Sequence, residues 1–243
     1  MKKNLCVDWG NSSVKIALFQ QNKIVETYSF SKEEVIAQIE QIVAKHQPDA
    51  SIICKVSEVP QTFITYLRES TKMIMLDADT PLPIINAYNS IHTLGMDRVA
   101  LSVGMQDLFP NKNNLVVCLG TAITYNFSQK NGIFRGGNIA PGMQMRFKAL
   151  HEFTNQLPLI EEKGEILLLG YDTSTCIRSG VVLGIAAEID GMLNNYRAQY
   201  PDFNAVLTGG DSPFFADKLK NKIFADAQLL LKGLNTILNH NAQ

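Results

Sequence analysis

Several common handles on a protein's chemistry are missing from these 243 residues. The four cysteines, Cys6, Cys54, Cys118 and Cys176, include no C-x-x-C pair. Neither a disulfide framework nor a cysteine zinc site is therefore indicated. Three of them sit in apolar runs, where a small buried thiol fits. The histidines (His46, His92, His151 and His240) are dispersed and show no zinc spacing. Charge of one sign is not in excess, since 22 Lys and Arg face 23 Asp and Glu for a net charge of −1. Nucleic-acid binders usually carry a basic surplus, so no such partner is expected. No apolar run approaches the ~20 residues that span a bilayer. Asp8 also interrupts the apolar stretch behind Lys2 and Lys3 too early for a secretory leader. The expectation is a reduced, cytoplasmic protein with no membrane partner. G-x-x-x-x-G-K-[ST] and G-x-G-x-x-G are both absent, so the two common glycine-loop modes of nucleotide binding find no support. Apolar residues are plentiful, at 46% against 19% charged, enough for a packed core and against disorder.

A faint internal repeat organises the chain. Leu5 to Trp9, the turn Gly10–Ser13, the alternating run Val14–Phe19, a polar turn and Ile24–Val25 form the first copy. Leu115 to Leu119, Gly120–Thr121, Ile123–Phe127, a polar turn and Ile133–Phe134 form the second. Each reads as strand, glycine turn, strand, hairpin and third strand. A fold duplicated once per half follows, with an N-terminal lobe over residues 1–110 and a C-terminal lobe over 111–243.

Helices follow each strand trio. Residues 31–46 place Val35, Ile36, Ile39, Ile42 and Val43 on one face, with Ser31 and Glu34 at capping-box spacing and Pro48 as a stop. A buried strand at 50–56, a helix near 62–70, a short strand at 72–76 and a helix over 97–108 complete the first half. In the second half, helices are expected over 143–156, 175–200 and 226–239, with a strand at 205–207. Strands alternating with helices in both halves define a mixed α/β architecture of two similar lobes.

The chemistry-bearing residues gather at turns. In Asp8-Trp9-Gly10-Asn11-Ser12-Ser13-Val14-Lys15, Gly10 allows a tight turn, the amides and hydroxyls suit an anion, and Lys15 returns a positive charge. Asp8 at the strand end is suited to Mg²⁺ through water. Gly120-Thr121-Ala122 repeats the arrangement. Gly136 to Gly142 and Thr208-Gly209-Gly210-Asp211 add two glycine turns beside helices, and Gly95-Met96-Asp97-Arg98 opens another helix. Taken singly, each is an ordinary hairpin, connector or cap.

In order and at these separations, the turns resemble the acetate and sugar kinase, Hsp70 and actin superfamily, and within it type III pantothenate kinase. That family opens on Asp-x-Gly-Asn-[Thr/Ser]-x-x-Lys, matched by Asp8 to Lys15. Its Gly-x-Asp-Arg signature is matched at Gly95 to Arg98, with a tyrosine ahead of it at Tyr88. Its Gly-Thr-Ala, Gly-Gly-x-Ile-x-Pro-Gly and Thr-Gly-Gly-Asp turns stand at 120–122, 136–142 and 208–211, and the threonine before its Ser-Gly helix at Thr173.

The resemblance implies two ribonuclease H-like lobes with a nucleotide cleft between them. It implies transfer of the ATP γ-phosphoryl group to pantothenate, the first step of coenzyme A synthesis. Asp97 would be the general base. Asp8, Trp9, Gly10, Asn11, Ser12, Ser13, Val14, Lys15 and Thr121 would hold ATP with Mg²⁺. Tyr88, Gly95, Met96, Asp97, Arg98 and Thr173 would hold pantothenate. A homodimer is implied too, with Met143, Met145, Phe147, Leu150 and Phe153 supplying apolar residues for an interface helix. The family also uses a monovalent cation, K⁺ or NH₄⁺, held in part by an Asp where this chain has Cys118. A thiol is a poor ligand for such ions, which puts that cation in question here. Two other readings stay open, namely a small-sugar kinase of the same superfamily and a non-catalytic regulator on the kinase scaffold.

Overall fold

The computed structural model describes residues 2–200 and 202–242. The first sheet carries the order β3-β2-β1-β4-β5. Its strands are β1 (Lys3–Trp9), β2 (Val14–Gln20), β3 (Lys23–Phe30), β4 (Ala50–Lys55) and β5 (Lys72–Met75). β1 to β3 are antiparallel, while β4 joins β1 and β5 joins β4 in parallel. The helices α1 (Lys32–His46) and α2 (Gln61–Ser70) provide the crossovers. Ser31 and Glu34 form the expected reciprocal cap at the start of α1.

Alternation along β1 sorts its side chains between two layers. Leu5, Val7 and Trp9 pack with Val35, Ile39, Phe63 and Leu67 of α1 and α2. Trp9 meets Phe63 edge-on at 5.0 Å. Cys6 faces the other layer, with Ala17, Phe19, Ile52 and Cys54. That layer is completed by α3 (Met96–Leu108) and the last helix, α7 (Leu229–His240), through Val99, Ala100, Val103, Leu231 and Leu234. The strand period therefore aims Asp8, two residues beyond Cys6, at the side where α3 begins.

The second sheet comprises β6 (Ile85–Asn86), β7 (Asn113–Leu119), β8 (Ala122–Ser128), β9 (Ile133–Gly136), β10 (Ile139–Pro141), β11 (Phe203–Thr208) and β12 (Phe224–Ala225). Its order is β12-β11-β7-β8-β9-β6, with β10 on β8. The run β9-β8-β7-β11-β12 repeats β3-β2-β1-β4-β5, so the duplication inferred from sequence is a duplication of strand order. The connecting helices are α4 (Met143–Glu152), α5 (Thr173–Gln199) and the single turn α6 (Ser212–Phe215).

Two compact units result. The first takes in residues 1–114, 127–136 and 228–243, and the second 115–126 and 137–227. A single cut near residue 110 thus leaves out two excursions, one of them the whole of α7. Several element bounds also move from expectation. α4 stops at Glu152, before the Thr154–Asn155–Gln156 stretch. α5 starts two residues early because Asp172 caps it, accepting from the Thr175 N–H at 2.7 Å. α7 starts three residues late.

α3 and α7 cross at two glycines. A Cβ on Gly104 would meet the Leu229 carbonyl, and one on Gly233 would collide with the Ala100 carbonyl. A buried amide relay anchors α7 further, since Asn4 Nδ2 donates to Asn235 Oδ1 (2.7 Å) and Asn239 Oδ1 (2.8 Å). Alanine in place of glycine usually favours a helix by about 1 kcal/mol, but forced overpacking costs about 1–3 kcal/mol. At Gly233 the collision is with backbone, so the cost prevails. Gly233→Ala is expected to lower the urea midpoint with an unchanged m-value, and an equal or higher midpoint would contradict the close crossing.

Candidate active site

In the first unit, residues far apart in the chain meet at the C-terminal end of β1. Asp8 lies opposite Lys15 across the β1–β2 ladder and opposite Cys54 across the parallel β1–β4 pair. Burial pushes the Asp8 carboxyl up to about 6, the Lys15 charge opposes the shift, and the negative charge of Asp97 adds to it. The thiol of Cys54, fully buried, is held in its protonated form by burial and by both carboxylates. Asp8, Lys15, Cys54 and Asp97 therefore share one electrostatic environment.

Asp97 is the second residue of α3, and Gly95 is its N-cap. A Cβ at Gly95 would collide with Asp97 Oδ1, so the glycine of Gly-x-Asp-Arg leaves the space that the carboxylate occupies. Burial raises the Asp97 carboxyl, against the backbone N–H groups of Arg98 and Asp97 and the Arg98 charge, which lower it. A half-buried carboxylate with a raised pKa and donors that orient it is well suited to accept a proton near neutral pH.

Arg98 is buried, with its guanidinium carbon 5.6 Å from the centre of the Tyr88 ring. Tyr88 stacks on Phe134 at 6.4 Å. It lies so close to Gly136 that a Cβ there would meet the ring at 2.7 Å, and Gly136 has φ +89°. Met96 is buried and anchors the start of α3.

Between β1 and β2, the Gly10 N–H donates to the Ser13 carbonyl at 3.1 Å. A side chain at Gly10 would meet that carbonyl. Asn11 and Ser12 are exposed, Ser13 is half-buried, and Val14 returns to the core. The exposed part of the turn thus offers backbone and small polar groups, the chemistry an anion requires.

The second unit brings three glycine turns together. The Gly142 N–H donates to the Thr121 carbonyl and the Asp211 N–H to the Leu119 carbonyl, both at 3.1 Å. A Cβ at Gly142 would collide with the Gly120 and Thr121 carbonyls, and one at Gly209 (φ +96°) with the Leu119 backbone. Gly142 and Gly209 are therefore what lets their loops lie on the backbone of residues 119–121, and Thr121 itself is exposed. Cys118 is half-buried in β7. Its thiol does not fit a K⁺ or NH₄⁺ ligand set, which calls for hard oxygens. Asp8 does offer such an oxygen and suits a water-mediated Mg²⁺.

Thr173 is the first residue of α5 and is exposed. With Arg146, Leu150, Phe153, Tyr171 and Ile177 it lines an open, mostly apolar cavity of about 1000 Å³. Arg146 is fixed there by Glu188 (2.5 Å) and the Pro141 carbonyl (2.9 Å), and Tyr125 donates to the same Glu188 at 3.1 Å. The expected interface helix divides: Met143 and Phe147 are core, whereas Met145 and Phe153 face outward. Sequence reasoning overlooked the stretch beyond it. Phe153, Leu168 and Leu169 are 87%, 96% and 86% exposed, and the Ile166–Leu169 run was the available signal.

Among solved structures, a "conserved putative Baf family transcriptional activator" from Campylobacter jejuni matches with TM-score 0.63, 20% identity and 98% coverage of both chains. A putative N-acetylmannosamine kinase from Listeria monocytogenes matches with TM-score 0.56 and 12% identity, over 99% of this chain and 100% of that one. The duplicated sheet is therefore the sugar-kinase and actin-like fold. Within that class, residues 4–195 match the family model described as type III pantothenate kinase. Type III pantothenate kinases from Bacteroides fragilis and Christiangramia forsetii are 42% and 38% identical, each over 98% of this chain and 98% of their own. The chain belongs to the type III pantothenate kinase family, and it is a kinase.

The raised Asp8 carboxyl has a consequence for stability. The folded state binds that proton more tightly than the unfolded chain, so stability falls as pH rises from about 4 through about 6. Asp8→Asn removes the buried charge. The ligand-free variant is expected to exceed the parent at pH 7.5 by about 1–3 kcal/mol, with the gain vanishing near pH 4. Urea titrations at both pH values check this, and a pH-independent difference would contradict it.

Proposed function

We propose that the protein phosphorylates the primary hydroxyl of pantothenate with ATP, giving 4′-phosphopantothenate for coenzyme A synthesis, and that Asp97 is the general base. The observation that carries this reading is the meeting of Asp97, at the start of α3, with Asp8, at the end of β1, in a shared half-buried environment that raises both carboxyls. Phosphoryl transfer needs positioning, charge stabilisation and an acceptor for the hydroxyl proton, and little else from the protein.

Asp97 accepts the proton as the hydroxyl oxygen bonds to the γ-phosphorus. The bond from that phosphorus to the bridging oxygen breaks, and ADP carries the electron pair away. Arg98, buried beside Tyr88, supplies fixed positive charge for the substrate carboxylate or the transferring group. Tyr88 and Thr173 hydrogen-bond the pantothenate body, with Gly95 and Met96 shaping the approach to Asp97. The turn from Asp8 to Lys15 and the turn at Thr121 receive the ATP phosphates. Asp8 would hold, through water, the Mg²⁺ that accompanies ATP, and the ion would supply neutralisation of phosphate charge. No step is assigned to a monovalent cation, because Cys118 does not suit one.

Asp97→Asn should keep the fold and MgATP binding while kcat falls roughly 10²–10⁴-fold. Pantothenate-dependent ADP release, measured beside a panel of hexoses, checks both base and substrate. Hexose-dependent turnover, or an unimpaired variant, would overturn the reading.

The working form is proposed to be a homodimer. Phe153 and Thr173 line one cavity, Leu168 and Leu169 directly precede Gly170 and Tyr171 of the same lining, and apolar exposure of this extent marks a surface that another chain covers. A second copy completing the pantothenate site accounts for it. Leu169→Asp is expected to shift the protein to monomer in sedimentation velocity and to raise the KM for pantothenate. A parent protein that already sediments as a monomer would rule the dimer out.

A further inference from the structure

The first glycine turn is held from behind by two residues outside its motif. The Trp9 and Gly10 carbonyls both bind the stretch that follows β4. The Val56 N–H donates to the Trp9 carbonyl at 3.1 Å, and the Ser57 hydroxyl donates to the Gly10 carbonyl at 3.1 Å. Ser57 Oγ in turn accepts from Lys32 Nζ at 2.9 Å. Lys32 is the first residue of α1, and its ammonium pairs with no carboxylate among the described residues.

This chain of donors fixes a peptide plane. The peptide bonds of the described residues are all trans, and in a trans peptide the C=O and the following N–H point in opposite directions. With the Gly10 carbonyl turned onto Ser57, the Asn11 N–H is turned away from β4, toward the open side of the turn. Asn11 is exposed, and its N–H has no acceptor among the described residues. The Lys32 charge polarises the Ser57 hydroxyl, which polarises the Gly10–Asn11 peptide and makes that N–H a better donor.

We infer that Ser57, backed by Lys32, is a positioning residue for the nucleotide, aiming the Asn11 N–H at a phosphoryl oxygen. The inference rests on the reading of residues 8–15 as the ATP turn. Ser57 acts on nucleotide affinity through the orientation of one peptide, and Lys32 acts through Ser57.

The test uses the full chain and its Ser57→Ala, Ser57→Thr, Lys32→Met and double Ser57→Ala/Lys32→Met variants. MgADP affinity is measured by calorimetry without pantothenate, and the KM values for ATP and for pantothenate are measured separately. Trp9, the only tryptophan of the chain, directly precedes Gly10, and its emission reports on the turn. Ser57→Ala is expected to weaken MgADP and raise the ATP KM together, about 5- to 30-fold, the size of one lost hydrogen bond. The pantothenate KM and the melting midpoint stay near parental values. Ser57→Thr, which keeps the hydroxyl, restores affinity. Lys32→Met weakens nucleotide less, and the double variant is no worse than Ser57→Ala, as required of residues acting in series. MgADP affinity within twofold of the parent in Ser57→Ala overturns the inference, as does a loss shared equally by both substrates and the midpoint. A parent protein that does not bind MgADP overturns the ATP reading itself, and that result is visible before any variant is made.

Discussion

The meeting of two negative side chains, one at the end of β1 and one at the start of α3, is the constraint around which the first unit is organised. Asp8 and Asp97 are both half-buried, and each carboxyl is pushed up chiefly by loss of water. Such an arrangement costs folding free energy and survives only where the surroundings compensate. Here Lys15 stands across the ladder from Asp8, helix N–H groups serve Asp97, and Arg98 lies next in the chain. The apolar layers on both sides of the sheet, anchored by Trp9, Phe63, Val99 and Leu234, supply the stability that the acidic pair consumes. Enzymes commonly accept this exchange at the place where a proton must move.

The glycines follow from the same logic of close approach. Gly95 leaves room for the Asp97 carboxylate, and Gly136 leaves room for the Tyr88 ring. Gly142 and Gly209 allow two separate loops to rest on the backbone of residues 119–121. In each case a side chain is absent because another group already fills its space. The family's glycine-rich signatures thus describe contacts, and loop flexibility is not needed to explain them.

Local features were legible in the sequence, and distant ones were not. The cap of α1 could be read because Ser31 and Glu34 lie within one helical turn. The duplicated strand order was visible because both copies keep the same apolar alternation around a glycine. The start of α5 lies two residues before the expected one because Asp172 caps the helix with Thr175. Met143 and Phe147 could not be told from Met145 and Phe153, since all are apolar and only packing separates core from surface. The acidic pair itself was reached through family resemblance, because no local pattern links residues 8 and 97. Ser57 and Lys32 gave no signal, being a common serine after a strand and a common lysine at a helix start.

The last helix has an implication for how the chain acquires its shape. α7 supplies Leu231, Leu234, Ile237 and Leu238 to the layer that covers β1, and its Asn235 and Asn239 bind Asn4 from the opposite end of the sequence. During synthesis the leading half can form its strands, but that face of its sheet is covered only in part, by α3, until residues 229–240 have left the ribosome. Contacts of such separation slow folding, and a partly covered apolar sheet invites association in the interval. The unit begun first is therefore the one finished last.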